Sequence, residues 1–163
     1  MAARSAPSKK RVVAPRKPAL LSKEQREAIE RELAAPYSGG AKLQVDGHEL
    51  SLRVERYKAL KWCVIVYVDG CLRGEWYKAE SEIGAKFWRR RVSVLIKQKD
   101  LALYRKAFGK RDAEARLARA TFVMHSPDFP SARSFLAHIQ RTATAVEVVS
   151  VGYQPEAPEA ANG

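Results

Sequence analysis

Between Leu43 and Val54 the chain alternates apolar and polar residues with period two, and the alternation turns back at one Asp-Gly pair. In KLQVDGHELSLRV, a two-residue turn at Asp46-Gly47 sets Val45 opposite His48 and Leu43 opposite Leu50. Leu50, Leu52 and Val54 then share one face, and Glu49, Ser51, Arg53 and Glu55 the other, so one face is buried and one is wet. A second pair, Asp69-Gly70, turns WCVIVYV into CLRGEWY. Together the two turns predict a four-stranded antiparallel meander over about 42–78. Its third strand is apolar on both sides, with Val64, Val66 and Val68 alternating with Cys63, Ile65 and Tyr67. Either helices cover both faces, or one face, with Arg73 beside Val66, is an exposed platform.

Elsewhere the period lengthens toward that of a helix. Ser22 and Gln25 make a capping-box pattern ahead of KEQREAIERELAA; Ile29 and Leu33 share a face, and Pro36 ends the segment. Residues 80–97 read as a helix that sets Ile83, Phe87, Val94 and Trp88 toward the sheet. LALYRKAFGKR reads as a second helix stopped at Gly109, and DAEARLARA as a third. SPDFPS reads as a turn leading to an N-cap at Ser131, with a helix to Arg141 that points Phe135, Leu136 and Ile139 inward. AVEVVSVGY closes the domain as a fifth strand at the sheet edge. The expected class is α+β, with the meander and the fifth strand packed against several helices. The expected organisation is a disordered basic arm over 1–20, one domain over 21–153 and a disordered tail over 154–163.

Composition adds one strong signal. Of 163 residues, thirty are Lys or Arg and eighteen Asp or Glu, for a net charge of +12. The arm contributes +6 and the tail −2, which leaves +8 for the body between them. A body that basic attracts phosphate backbones, anionic lipid or an acidic protein. The longest uncharged apolar run, Trp62 to Val68, is too short to cross a bilayer, and the N-terminus has no uninterrupted apolar stretch of the secretory kind. The expected setting is therefore a reducing cytoplasm, where the two cysteines stay thiols.

Candidate chemistry is sparse. Parity about Asp69-Gly70 places Cys63 opposite Trp76, Tyr67 opposite Leu72 and Val68 opposite Cys71, so the two cysteines point to opposite faces and do not pair. His48, His125 and His138 are scattered, too few and too far apart in the sequence for a zinc site; no metal and no cofactor are expected. His125, Ser126 and Asp128 form a suggestive trio on paper, but catalytic triads assemble from separate segments. No glycine-rich phosphate loop is present, and the acidic residues show no defensible pairing. Enzymatic activity is not expected.

The basic clusters are richer. FWRRRVSVLIKQK places Arg89, Arg90 and Arg91 in one expected helix with Lys86 and Lys97, and Arg105, Lys106, Lys110 and Arg111 follow. Strands supply Arg53, Arg56, Lys58, Lys61, Arg73 and Lys78, and the arm supplies Lys9, Lys10, Arg11, Arg16 and Lys17. Each phosphate such groups neutralise makes binding salt-dependent. Tyr57, Trp62, Trp76, Tyr77 and Trp88 interleave with these charges; exposed rings can stack on bases, although Trp76 and Trp88 suit a core better. The candidate nucleic-acid-binding residues are Lys9, Lys10, Arg11, Arg16, Lys17, Arg53, Arg56, Lys58, Lys61, Arg73, Lys86, Arg89, Arg90, Arg91 and Lys97.

Two resemblances bear on this. The pattern of Trp62 to Glu80, a basic hairpin followed by a helix, resembles the sheet-reading DNA-binding domains of plant AP2 factors and the arm-binding domains of tyrosine recombinases, which implies a sheet that enters a DNA groove. The run LSLRVERYKALKWCVIVYVDGCLRGEWYKAE, continuing through FGKR and VEVVSVGY, is similar to small uncharacterised proteins of temperate phages and prophages of Gram-negative bacteria. That likeness implies action in the cytoplasm of a bacterial host cell. The expected function is a phage-type accessory protein that binds nucleic acid, DNA before RNA, mainly through phosphate contacts. The alternative is an inhibitor or adaptor that binds an acidic host protein, such as a defence or nucleic-acid-processing complex.

Overall fold

The computed structural model describes residues 18–153. Helix α1 (Lys23–Glu32) opens on the expected capping box: the Ser22 hydroxyl accepts from the Gln25 N–H while the Gln25 side chain accepts from the Ser22 N–H. Strands β1 (Ala41–Val45), β2 (His48–Lys58) and β3 (Lys61–Val68) follow as an antiparallel meander. Val45 pairs with His48 and Leu43 with Leu50, the register that the Asp46-Gly47 turn dictates. Both turn residues have positive φ, as a type I′ hairpin requires.

The meander stops at three strands. After Asp69-Gly70 only one bridge forms, Val68 with Cys71, and the chain then makes a short 3₁₀ turn over Gly74–Tyr77. The expected pairings of Tyr67 with Leu72 and Cys63 with Trp76 are absent, because the outer edge of β3 is taken. Strand β6 (Asp128–Phe129) pairs there with Ile65 and Val64, and the Val66 N–H donates to the Pro127 carbonyl at 3.1 Å. The indole N–H of Trp88 donates to the Val66 carbonyl at 3.1 Å. SPDFPS is thus more than a turn, although Ser131 does cap α4 (Ala132–Thr142) as expected. Strand β7 (Val146–Val151) joins the other edge, beside β1, and the sheet order is β6-β3-β2-β1-β7.

A second departure reshapes the basic region. The helix expected over 80–97 ends early: α2 spans Glu82–Phe87, and Arg89–Val94 is a strand, β4. Phe87 and Trp88 are both fully buried, and a continuing helix would splay neighbouring side chains by about 100°. The chain leaves the helix at Trp88 instead, and the β-branched RRRVSV segment pairs in a two-stranded ribbon with β5 (Thr121–Ser126), a strand not foreseen from the sequence. Val94, expected to face the sheet, is exposed. Between the ribbon strands runs α3 (Gln98–Arg119), broken at Gly109, whose φ of 83° and ψ of 166° suit only glycine. The two helices expected around Gly109 are its two halves.

The core lies on one face of the sheet. Leu43, Val45, Leu50, Leu52, Val64, Val66 and Val68 meet Ile29 and Leu33 of α1, Phe135 and Ile139 of α4, and Phe87, Trp88 and Phe129. Phe129 meets Phe135 edge-on at 5.3 Å, and Trp88 packs against Tyr77 and Trp76. Val66 is fully buried on this covered face, so the platform expected there, with Arg73 beside Val66, does not exist. The opposite face carries Arg53, Glu55, Cys63, Ile65 and Tyr67, matching the alternation read in β2. The architecture is α+β. The expected arm and tail fall outside the described residues except for Pro18 to Leu20, which Gln140 of α4 holds by hydrogen bonds to the Pro18 carbonyl and the Leu20 N–H.

Candidate nucleic-acid interface

The strand geometry of β4 sorts its arginines. Alternation puts Arg89 and Arg91 on one face and Arg90 on the other, where the expected helix would have fanned them apart. Arg89 and Arg91 converge on the Asp128 carboxylate, at 2.7 and 3.4 Å, and the Ser126 hydroxyl donates to the same group. The Arg89 Nε–H is buried without an acceptor. Beside this clamp lies the turn end of the β2–β3 hairpin, with Tyr57, Lys61 and Trp62. Together these side chains line a cavity of about 310 Å³ that also reaches Cys63 and Pro130. A neighbouring cavity of about 270 Å³ shares Trp62, Cys63 and Pro130 and is lined also by Leu33, Pro36 and Ala132.

Of the three tryptophans, Trp76 and Trp88 are core residues and Trp62 is 37% exposed. Tyr37, itself exposed, meets the Trp62 ring edge-on at 5.6 Å. Burial pushes the Cys63 thiol above its ordinary pKa, and the nearby Asp128 and Glu55 carboxylates push it further, so it stands in the cavity as a neutral thiol. The Tyr67 hydroxyl donates to Glu55 at 2.5 Å, which together with burial raises its pKa.

Several candidate cations are engaged within the fold. Lys86 pairs with Asp46 at 2.8 Å; Arg73 lies 3.8 Å from Glu75 and over the Trp76 ring. Arg53 lies over the Tyr67 ring, Lys58 over the Tyr57 ring, and Arg56 donates to the Ala59 carbonyl. Lys9, Lys10, Arg11, Arg16 and Lys17 lie outside the described residues. Arg90 and Lys97 are exposed on the ribbon and at the start of α3.

The decisive feature is where the excess charge sits. Residues 89–119 hold eleven Lys and Arg against three acids, net +8. Residues 18–88 hold eleven of each sign, and residues 120–153 two of each. The whole excess of the described domain therefore lies on β4, α3 and the link between them. Within α3, only Leu101 and Ala113 are buried. Among the described residues, Arg105, Lys106, Lys110, Arg111 and Arg119 have no carboxylate within ion-pair distance. Arg116 closes over Phe108 at 4.6 Å and Tyr104 at 5.4 Å, a cation–π contact that holds the two halves of α3 across the Gly109 break. This concentration is countable from the sequence by segment, but a helix over 80–97 lying on the sheet would have divided it.

The His125, Ser126 and Asp128 trio does not form a relay. His125 is buried with its Nε2 toward the Ala79 carbonyl at 3.2 Å and its Nδ1 without a partner, while Ser126 serves Asp128. Cys63 and Cys71 are free thiols, one buried and one exposed. Among the described residues no group of three His, Cys, Asp or Glu side chains is arranged to hold a metal, and no helix is long and apolar enough to cross a membrane. No protein-family model, curated protein or solved structure matches this chain.

Proposed function

We propose that this protein binds nucleic acid, with the β4–α3 unit as its principal phosphate-contacting surface. The observation that carries the reading is the placement of the net +8 of the described domain on residues 89–119, with the remainder at zero. Unpaired guanidinium and ammonium groups on an exposed helix favour phosphate contacts, which set affinity more than sequence preference. The likeness of Leu50 to Glu80 to phage and prophage proteins suggests the setting, an accessory protein at work in a bacterial host cell.

Fluorescence anisotropy on duplex DNA, single-stranded DNA and RNA at two salt concentrations tests this. Binding should weaken steeply with salt. Changing Arg105, Lys106, Lys110 and Arg111 together to Gln should lower the duplex salt slope by about 0.9 for each phosphate no longer neutralised. Changing Arg53 and Arg73 to Gln should alter it little. Absence of binding at low salt, or indifference to the quadruple substitution, overturns the reading.

One observation favours the second reading, an adaptor or inhibitor on an acidic host protein. Leu95 and Leu103 are 73% and 67% exposed on the basic unit, with Val92, Val94 and Phe122 also exposed. Aliphatic surface of this kind suits a protein partner better than bases. A pull-down after nuclease treatment separates the two, since a protein partner survives it and a nucleic acid does not.

A further inference from the structure

Resting on the nucleic-acid reading, we propose that the cavity between the β2–β3 hairpin and the root of β4 takes one unpaired nucleotide, so that the protein prefers single strands to duplexes. Trp62 and Tyr57, 37% and 51% exposed, line this cavity, and Lys61, Arg89 and Arg91 set three cations against the single carboxylate of Asp128. The cavity volume of about 310 Å³ falls at the lower end of the range for small-ligand sites. Stacking on an aromatic side chain suits any base, and the cations beside the rings suit the phosphate that accompanies it. A base held in a duplex cannot enter, because its faces are covered by its neighbours and its edge by its partner.

The clamp at Asp128 gives the cavity its shape. One carboxylate, held by Arg89, Arg91 and the Ser126 hydroxyl, fixes the root of the ribbon against the edge of β3. Arg91 is the more open of the two guanidiniums and its contact with Asp128 is the longer one, so it is the group free to turn to a phosphate. Trp62 is also the only tryptophan of the three with substantial exposure, which provides a direct optical reporter.

The test uses the full chain, oligothymidylate, a duplex of equal length and thymidine monophosphate. Single strands should quench Trp62 fluorescence, and Trp62→Phe should remove the signal while keeping most of the affinity. Trp62→Ala and Arg91→Gln should each weaken single-strand binding by about tenfold, and Trp62→Ala should change duplex binding by less than about twofold. Thermal melts of each variant establish that it is folded. If both polymers bind but Trp62→Ala leaves their affinity ratio unchanged, this inference fails and the charged-helix reading stands. If neither polymer binds at low salt, both fail. If thymidine monophosphate quenches Trp62 as tightly as the polymer, the cavity is a free-nucleotide site and the single-strand assignment is overturned.

Discussion

The carboxylate of Asp46 lies 2.8 Å from the ammonium of Lys86 and also accepts the backbone N–H groups of Thr144 and Ala145. One turn residue of the β1–β2 hairpin thereby fastens α2 and the α4–β7 connection to the sheet. The Lys86 hydrogen bond, supported by the two backbone donors and opposed by burial, lowers the Asp46 pKa from 3.8 to about 2.

That shift sets a pH dependence. A depressed carboxylate stabilises the fold above its unfolded pKa, and the contribution is lost as pH falls through the folded value. Asp46 is 11% exposed, and its shift corresponds to about 2 kcal/mol at neutral pH. Asp46→Asn, which keeps a residue tolerant of positive φ, should lose about that amount at pH 7 by urea unfolding. The variant should also lose less stability than the parent between about pH 4 and 2. Equal acid sensitivity in the two proteins would rule out Asp46 as the titrating group.

Trp88 closes the edge of β3 at Val66. Trp88→Phe keeps most of the buried ring but leaves the Val66 carbonyl without its donor, which should cost about 1–3 kcal/mol in denaturant unfolding. A loss below about half a kcal/mol would mean that the indole N–H is not needed there.

Gly84 sits where no side chain fits. A Cβ at that position would lie 2.1 Å from the Trp76 carbonyl and 3.0 Å from the His125 ring, and the nearest obstacle is backbone. Gly84→Ala should destabilise the protein by about 3 kcal/mol or more, visible as a large drop in Tm. Gly74→Ala, where a Cβ would meet nothing within 4 Å, is the control and should change Tm little.

The two thiols should react at very different rates. Cys71 is exposed, while Cys63 is 8% exposed with a raised pKa, so alkylation at neutral pH should label Cys71 first. Cys63 should label at a rate that follows unfolding in denaturant. Equal rates under native conditions would contradict the burial of Cys63.

Local signals predicted a good part of this fold. The Asp-Gly turns, the alternation of β2, the capping box before α1 and the N-cap at Ser131 each depend on a few neighbouring residues, and each is present. Readings that failed depended on distant competition. CLRGEWY has a strand's composition, yet Phe129 and the Trp88 indole occupy the edge it would need. RRRVSVL fits a helix by its neighbours to the N-terminal side, yet TFVMHS, some thirty residues on, captures it as a strand.

By itself the sequence determined the class of the fold, the β1–β2 register and the positive charge of the body, because turn chemistry, period-two burial and net charge are properties of local order and composition. Only the tertiary structure decided where that charge acts and what surrounds it. It set Arg89 and Arg91 on one side of a strand beside Asp128, brought Tyr57, Lys61 and Trp62 to the same cavity, and left α3 exposed with its cations unpaired. Those placements follow from which segments compete for the edge of β3 and for the core, a competition between residues far apart in the chain.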